Sequence, residues 1–102
     1  MRQFDVLANP DPITGRHSPF LVVVQSHHLD PLDTIFLTPA VRDAQRPVTS
    51  LDVEIEFNGE RLILAVAESA GVPKARYGRI VRSVSEHQDA IRRAFERLFG
   101  GF

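Results

Sequence analysis

Residues 51–66 read LDVEIEFNGERLILAV, and this pattern carries the clearest structural signal in the chain. Apolar and polar residues alternate up to Phe57, as on a strand that buries one face. Asn58-Gly59 then favours a type I′ turn, which joins two antiparallel strands with the smallest loop. The segment therefore predicts a β-hairpin.

The two-residue turn also fixes which residues face each other across this hairpin. It places Val53 opposite Leu64, on a face that is apolar almost throughout. It places Glu56 opposite Arg61 on the other face, where opposite charges stabilise a strand pair. The turn and the hydrophobic pattern thus agree on one register.

Shorter strands are expected on both sides of the hairpin, each bounded by Pro, Gly or Asx residues. They cover residues 3–8, 20–26, 34–38, where the strand ends at Pro39, and 78–84. Residues 67–77 contain Gly71 and Pro73 and predict an irregular crossover.

The end of the chain predicts one helix. Ser85 followed by Gln88 is a capping box, so the helix should begin at Glu86. Its apolar stripe consists of Ile91, Ala94, Phe95 and Leu98. Five or six strands followed by one helix favour a mainly β fold, either a small bent antiparallel sheet or an SH3-like barrel.

Length and composition exclude several classes of protein. The chain has 102 residues and no cysteine. We expect residues 1–102 to form a single domain, without disulfides, thiol chemistry or cysteine-bound metal. The longest apolar run, residues 20–24, is too short to span a membrane, and the first residues lack a signal sequence. We therefore expect a cytoplasmic protein with no membrane contact.

Charge is distributed unevenly along the chain. Residues 1–73 carry 5 basic and 10 acidic side chains, a net charge of −5, whereas residues 74–102 carry 7 basic and 3 acidic ones, a net charge of +4. This asymmetry would suit an acidic partner or nucleic acid, but we interpret the basic third as a solvated surface. The isoelectric point of about 6.4 argues against general binding of DNA, and we expect no direct sequence-specific binding of nucleic acid.

No cluster of residues predicts metal binding or catalysis. The strongest candidate for a metal site is His27-His28 with Asp30 and Asp33, to which His17 could be added. Adjacent residues of an extended chain point in opposite directions, so one ion cannot use both histidine rings. No nucleophile elbow or phosphate-binding loop is present. We expect no metal, no cofactor and no enzyme activity.

The last five residues, Leu98 to Phe102, combine apolar side chains with two glycines. We expect Phe99 to be buried, on the core or against a second copy of the chain. For Phe102 two interpretations stay open, namely folding back onto the core and anchoring a partner protein, since a few aromatic residues dominate many interfaces.

These residues together resemble the CcdB family of toxin–antitoxin toxins. The resemblance is carried by residues 3–6, 20–26 with Leu29-Asp30, Thr38-Pro39, residues 69–73, and Ser85, Ile91, Ala94 and Phe95. It implies an SH3-like barrel of the CcdB/MazF type with one C-terminal helix, and a two-fold homodimer. It also implies a toxin that binds the DNA gyrase A subunit, traps the gyrase–DNA cleavage complex and is neutralised by a CcdA-like antitoxin, as in plasmid maintenance.

The family resemblance also implies a set of gyrase-binding residues. The family ends in Trp-Gly-Ile after a phenylalanine; here Gly100, Gly101 and Phe102 follow Phe99, so that glycine replaces tryptophan and phenylalanine replaces isoleucine. The other contact positions are Gln3, Phe4, Ser26, His28 and Glu96. The first three keep the family residue, whereas His28 and Glu96 depart from it.

Two other functions remain open at this point. The loss of the tryptophan indicates a CcdB-fold protein that no longer poisons gyrase and binds only an antitoxin or another protein. The related MazF toxins share the barrel and cleave mRNA, and Arg76, Arg79 and Arg82 would then bind phosphates. No general base or transition-state stabiliser for RNA cleavage is evident in the sequence.

Overall fold

The computed structural model describes residues 2–25, 32–42, 48–77 and 79–100. In chain order its strands are β1 (Asp5–Ala8), β2 (Phe20–Val23), β3 (Thr34–Val41), β4 (Asp52–Phe57), β5 (Glu60–Ala65), β6 (Ala70–Pro73) and β7 (Ile80–Ser83), followed by helix α1 (Gln88–Gly100). Short 3₁₀ turns lie at Thr14–Arg16, Val66–Glu68, Lys74–Arg76 and Ser85–His87.

The strands form one antiparallel sheet in the order β4-β5-β3-β2-β1-β7. β3 changes partner along one edge, since residues 34–37 pair with β6 and residues 40–41 pair with β5. Pro39 lies at this change, where a missing N–H costs least. The bent sheet is a half-barrel, and the Arg82 guanidinium of β7 lies 5.5 Å from the centroid of the Phe57 ring of β4. The predicted mainly β barrel with one C-terminal helix is confirmed.

The predicted hairpin is present in the predicted register. Asn58 and Gly59 have φ values of 52° and 79°, as a type I′ turn requires. Glu56 faces Arg61 across the strands, but the Arg61 guanidinium donates its hydrogen bond to Glu54 instead. The register is therefore fixed by the turn and the apolar face rather than by this ion pair.

Alternation along the strands produces two apolar clusters, because successive side chains point to opposite faces of the sheet. Val6 and Val22 belong to the main core, which the helix covers with Ile91 and Ala94. The neighbouring Leu7 and Val23 belong to a smaller cluster on the other face. The smaller cluster also contains Ile35 and Leu37, with Leu21, Val72 and Tyr77 packed against it.

Several elements differ from the predictions. The crossover at 67–77 contains a strand, β6, because its short extended run pairs with the first half of β3. β3 continues through Pro39 to Val41 instead of ending there. The helix begins at Gln88 rather than Glu86, because residues 85–87 form a 3₁₀ turn instead of the first turn of the α-helix.

Candidate functional site

A pocket lies between the N-terminal segment and helix α1. Its volume is about 250 Å³. It is lined by Gln3, Phe4, Val24, Ile91, Arg92, Phe95 and Glu96. Gln3, Phe4 and Glu96 are all predicted site residues, and the fold brings them together from opposite ends of the chain.

Phe4 forms part of the pocket in an unusual backbone conformation. Its φ is 71°, in the left-handed region that costs an aromatic residue roughly 1–2 kcal/mol. Two backbone hydrogen bonds hold it there. The Phe4 N–H donates to the Val23 carbonyl at 2.5 Å, and the Phe4 carbonyl accepts from Val84 N–H at 2.9 Å. The residue is 4% exposed, so burial and these bonds offset the strain.

Gln3 ties the same segment to the end of β2. Its side-chain amide nitrogen donates to the Val24 carbonyl at 3.1 Å, and its side chain is half-buried. The prediction placed the start of β1 at Gln3. Because the backbone of Phe4 is left-handed, the strand begins only at Asp5. The N-terminal segment therefore serves as a wall of the pocket and not as a strand.

The helix supplies the charged side of the pocket. The Arg92 guanidinium carbon lies 5.7 Å from the Phe4 ring centroid, within range of a cation–π interaction. Glu96 follows one turn later and is exposed. Sequence analysis missed Arg92 as a site residue, although its spacing of three and four residues from Phe95 and Glu96 places it on the same helix flank.

A row of aromatic rings continues from the pocket to the end of the helix. The Phe36 and Phe95 centroids are 6.4 Å apart, and Phe95 stacks on Phe99 with centroids 6.0 Å apart and planes 13° apart. Phe99 is 75% exposed, so it does not pack into the core of its own chain, and its burial against a second copy of the chain stays a prediction. Leu98, at the end of the predicted stripe, is 36% exposed.

The structure says less about the remaining predicted residues. Gly100 is the last residue of α1 and is exposed. Gly101, Phe102, Ser26 and His28 lie outside the residues that the structure describes, as do His27 and Asp30 of the candidate metal cluster. Within the described part of the chain, no three His, Asp or Glu side chains are grouped to hold a metal ion, and no helix is long and apolar enough to cross a membrane.

The arginines of the basic C-terminal third are divided among separate places. Arg92 faces the pocket, whereas Arg93 and Arg97 line a cleft on the opposite flank of α1, beside Asp52 and Glu54. Arg97 is held there by a hydrogen bond from Nη1 to the Ser50 carbonyl at 3.0 Å. This division agrees with the interpretation of the basic third as a solvated surface.

The fold is shared with small toxins. The structure is similar to a solved Mtb toxin, with a TM-score of 0.73 and 11% identity over 92% of this chain and 99% of that one. It is equally similar to the Mycobacterium tuberculosis toxin MazF-mt6, with a TM-score of 0.73 and 11% identity over 97% of each chain. At this identity the comparison establishes the fold alone.

Sequence comparison narrows the assignment from this toxin fold to one family. The model of the CcdB protein family matches residues 3–101, and the chain therefore belongs to the CcdB family. It is a toxin of the toxin–antitoxin class. No curated protein matches the sequence.

Proposed function

We propose that this chain is a gyrase poison. It binds the DNA gyrase A subunit, traps the gyrase–DNA cleavage complex, and is neutralised by a CcdA-like antitoxin. One observation carries the proposal: Gln3, Phe4 and Glu96, three contact positions implied by the family, line one pocket although they come from opposite ends of the chain. Membership of the CcdB family supports the same partners.

In this function residues 1–102 act as one domain and catalyse no reaction. A protein that binds one state of gyrase more tightly than the others shifts gyrase towards that state. Saturating the cleavage complex at a hundred times the dissociation constant stabilises it by about 2.7 kcal/mol. No cofactor takes part, and the toxin acts in the cytoplasm, where gyrase meets its DNA.

The exposed aromatic row supplies the apolar part of the interface. Phe95 and Phe99 present a stacked pair beside the pocket, and Phe99 has most of its surface free to contact another chain. Large aromatic side chains that become buried dominate the energy of many interfaces. We propose that this end of the helix contacts both gyrase and the second subunit of a homodimer, with Gly100, Gly101 and Phe102 extending the contact and Ser26 and His28 adding to it.

Purified gyrase provides the direct test. We expect the wild-type chain to inhibit supercoiling and to accumulate cleaved DNA. A chain lacking residues 100–102 should fold and dimerise but lose both effects, and Phe102→Ala should weaken them. Wild-type protein without any effect at high concentration would show that the glycine at position 100 has removed the family's activity.

The second candidate function is binding without poisoning. It is favoured by Gly100, which is exposed at the end of α1 and offers no side chain where the family has tryptophan. Tight antitoxin binding by a chain that leaves gyrase unaffected would establish it. The MazF-like mRNA endoribonuclease is a weaker candidate, because Arg82 is already engaged by Phe57 and Glu86; rapid loss of mRNA on expression would favour it.

A further inference from the structure

The guanidinium group of Arg92 lies beside an aromatic ring but forms no ion pair with another described residue. Its guanidinium lies over the Phe4 ring, which fixes one face of the group. Among the described residues, ion pairs join Arg42 to Glu60, Arg61 to Glu54 and Arg82 to Glu86, and Arg92 belongs to none of these pairs. An arginine restrained by an aromatic neighbour loses less freedom when its N–H groups bind a planar partner.

We propose that Arg92 recognises a carboxylate of the partner protein at this pocket. Its planar fork of N–H groups fits the two oxygens of an Asp or Glu side chain and binds them with paired hydrogen bonds. The apolar part of the same side chain would lie against Phe4, Val24 and Phe95. This inference rests on the proposed function, because it assigns chemistry to the contact that the pocket makes with gyrase.

The surroundings favour a single carboxylate over a nucleic-acid backbone. Glu96 lines the same pocket one turn from Arg92 and would repel a chain of phosphates. The other arginines of the helix, Arg93 and Arg97, lie on the opposite flank and cannot extend the contact. The pocket therefore accommodates a single carboxylate opposite the Arg92 guanidinium.

The free protein tests the inference without gyrase. The probe is N-acetylglutamate N-methylamide, and its glutamine analogue and inorganic phosphate are the controls. In NMR titrations we expect the glutamate compound to shift the Arg92 Nε–H signal in a saturable way, with little change at Arg93 and little effect of the glutamine analogue. Equal responses at the two arginines, or a stronger response to phosphate, would overturn the inference.

Binding to the gyrase A subunit gives the second test. Arg92→Gln should weaken binding by about tenfold, the loss expected for one charged contact, and should reduce its dependence on salt. Arg92→Lys keeps the charge without the planar fork and should fall between. Arg93→Gln is the matched control and should bind like the wild type, with circular dichroism confirming that all variants are folded.

The outcomes separate the inference from the proposed function. A wild-type chain that fails to bind gyrase A contradicts the proposed function, while the NMR titration still decides the role of Arg92. A chain that binds gyrase equally well with and without Arg92 contradicts the inference alone. An effect of Arg92→Gln only when DNA is present would identify phosphate as the ligand and overturn the carboxylate.

Discussion

Among the residues that the structure describes, two other than glycine have a left-handed backbone, and they lie in very different settings. Asn58 has a φ of 52° in the turn between β4 and β5, where asparagine is among the residues best suited to that conformation. Phe4 has a φ of 71° in the wall of the pocket, where an aromatic residue is rare. Local preference and structure agree in the hairpin and disagree at the pocket.

This difference indicates what each region is built to do. The hairpin is stabilised by its own sequence, since the turn, the alternation and the register all favour the same structure. Phe4 is held by its tertiary surroundings, through its burial and its bonds to Val23 and Val84. Strain of this kind concentrates at functional sites, because only a structural constraint from elsewhere keeps it in place.

The largest loss of stability is expected from a charge placed in the hairpin core. Val53 is 7% exposed and faces Leu64, so Val53→Asp would bury an unpaired carboxylate. We expect a loss of about 4 kcal/mol or more, enough to unfold the chain, as measured by urea denaturation. Glu56→Asp, on the exposed face of the same strand, should leave the midpoint nearly unchanged. A folded Val53→Asp chain with a wild-type midpoint would contradict the assigned core.

The strain at Phe4 can be measured with two substitutions. Phe4→Ala and Phe4→Gly both remove the ring, at a cost of about 3 kcal/mol. Only glycine adopts a φ of 71° without penalty, so the glycine variant should be more stable by about 1 kcal/mol.

Leu7 provides the control for this comparison, since it is fully buried in the extended strand β1. There glycine should be less stable than alanine, by roughly 0.5–1 kcal/mol. The same order of stability at both positions in urea denaturation would show that Phe4 is not strained.

The sequence predicted those elements best whose structure depends on residues close together in the chain. The hairpin, the strands around residues 20–23 and 80–83 and the helix stripe are such cases. β6 was missed because four residues with a glycine and a proline form a strand only when β3 offers an edge. The predicted helix start was wrong by two residues because residues 85–87 form a 3₁₀ turn before the α-helix.

The candidate site was predictable only in part. Family resemblance indicated Gln3, Phe4 and Glu96, which share the pocket. Arg92 was missed because its role depends on the position of the Phe4 ring beneath the helix. Phe4 lies 88 positions away in the sequence, so their contact arises only from the fold. Phe99 is exposed on its own chain, so its packing into the core was wrongly predicted from residue type alone, whereas its burial against a second copy of the chain stays a prediction.

A smaller loss of stability is expected from a substitution in the hairpin turn. Gly59 has a φ of 79°, and a Cβ atom added there would meet no other atom within 4 Å. Gly59→Ala therefore tests conformation without any clash and should cost about 1 kcal/mol in urea denaturation. Gly71→Ala is the control, because its Cβ would only make ordinary contact with the Phe36 ring at 3.9 Å. If both variants are equally stable, the left-handed conformation of the turn does not contribute to the stability of the fold.

The smallest change in stability and a large change in function are expected together at Phe99. The side chain is 75% exposed and contacts mainly Phe95, so Phe99→Ser should change the free energy of unfolding by less than about 0.5 kcal/mol. It should nevertheless weaken gyrase binding and toxicity, because it removes an aromatic ring from the proposed interface. Ile13→Ser, at an 80% exposed position that does not line the pocket, is the control and should remain toxic. If Phe99→Ser is as toxic as the wild type, the aromatic row is not part of the binding surface, and the contact with gyrase must then depend on the pocket around Phe4 and Arg92.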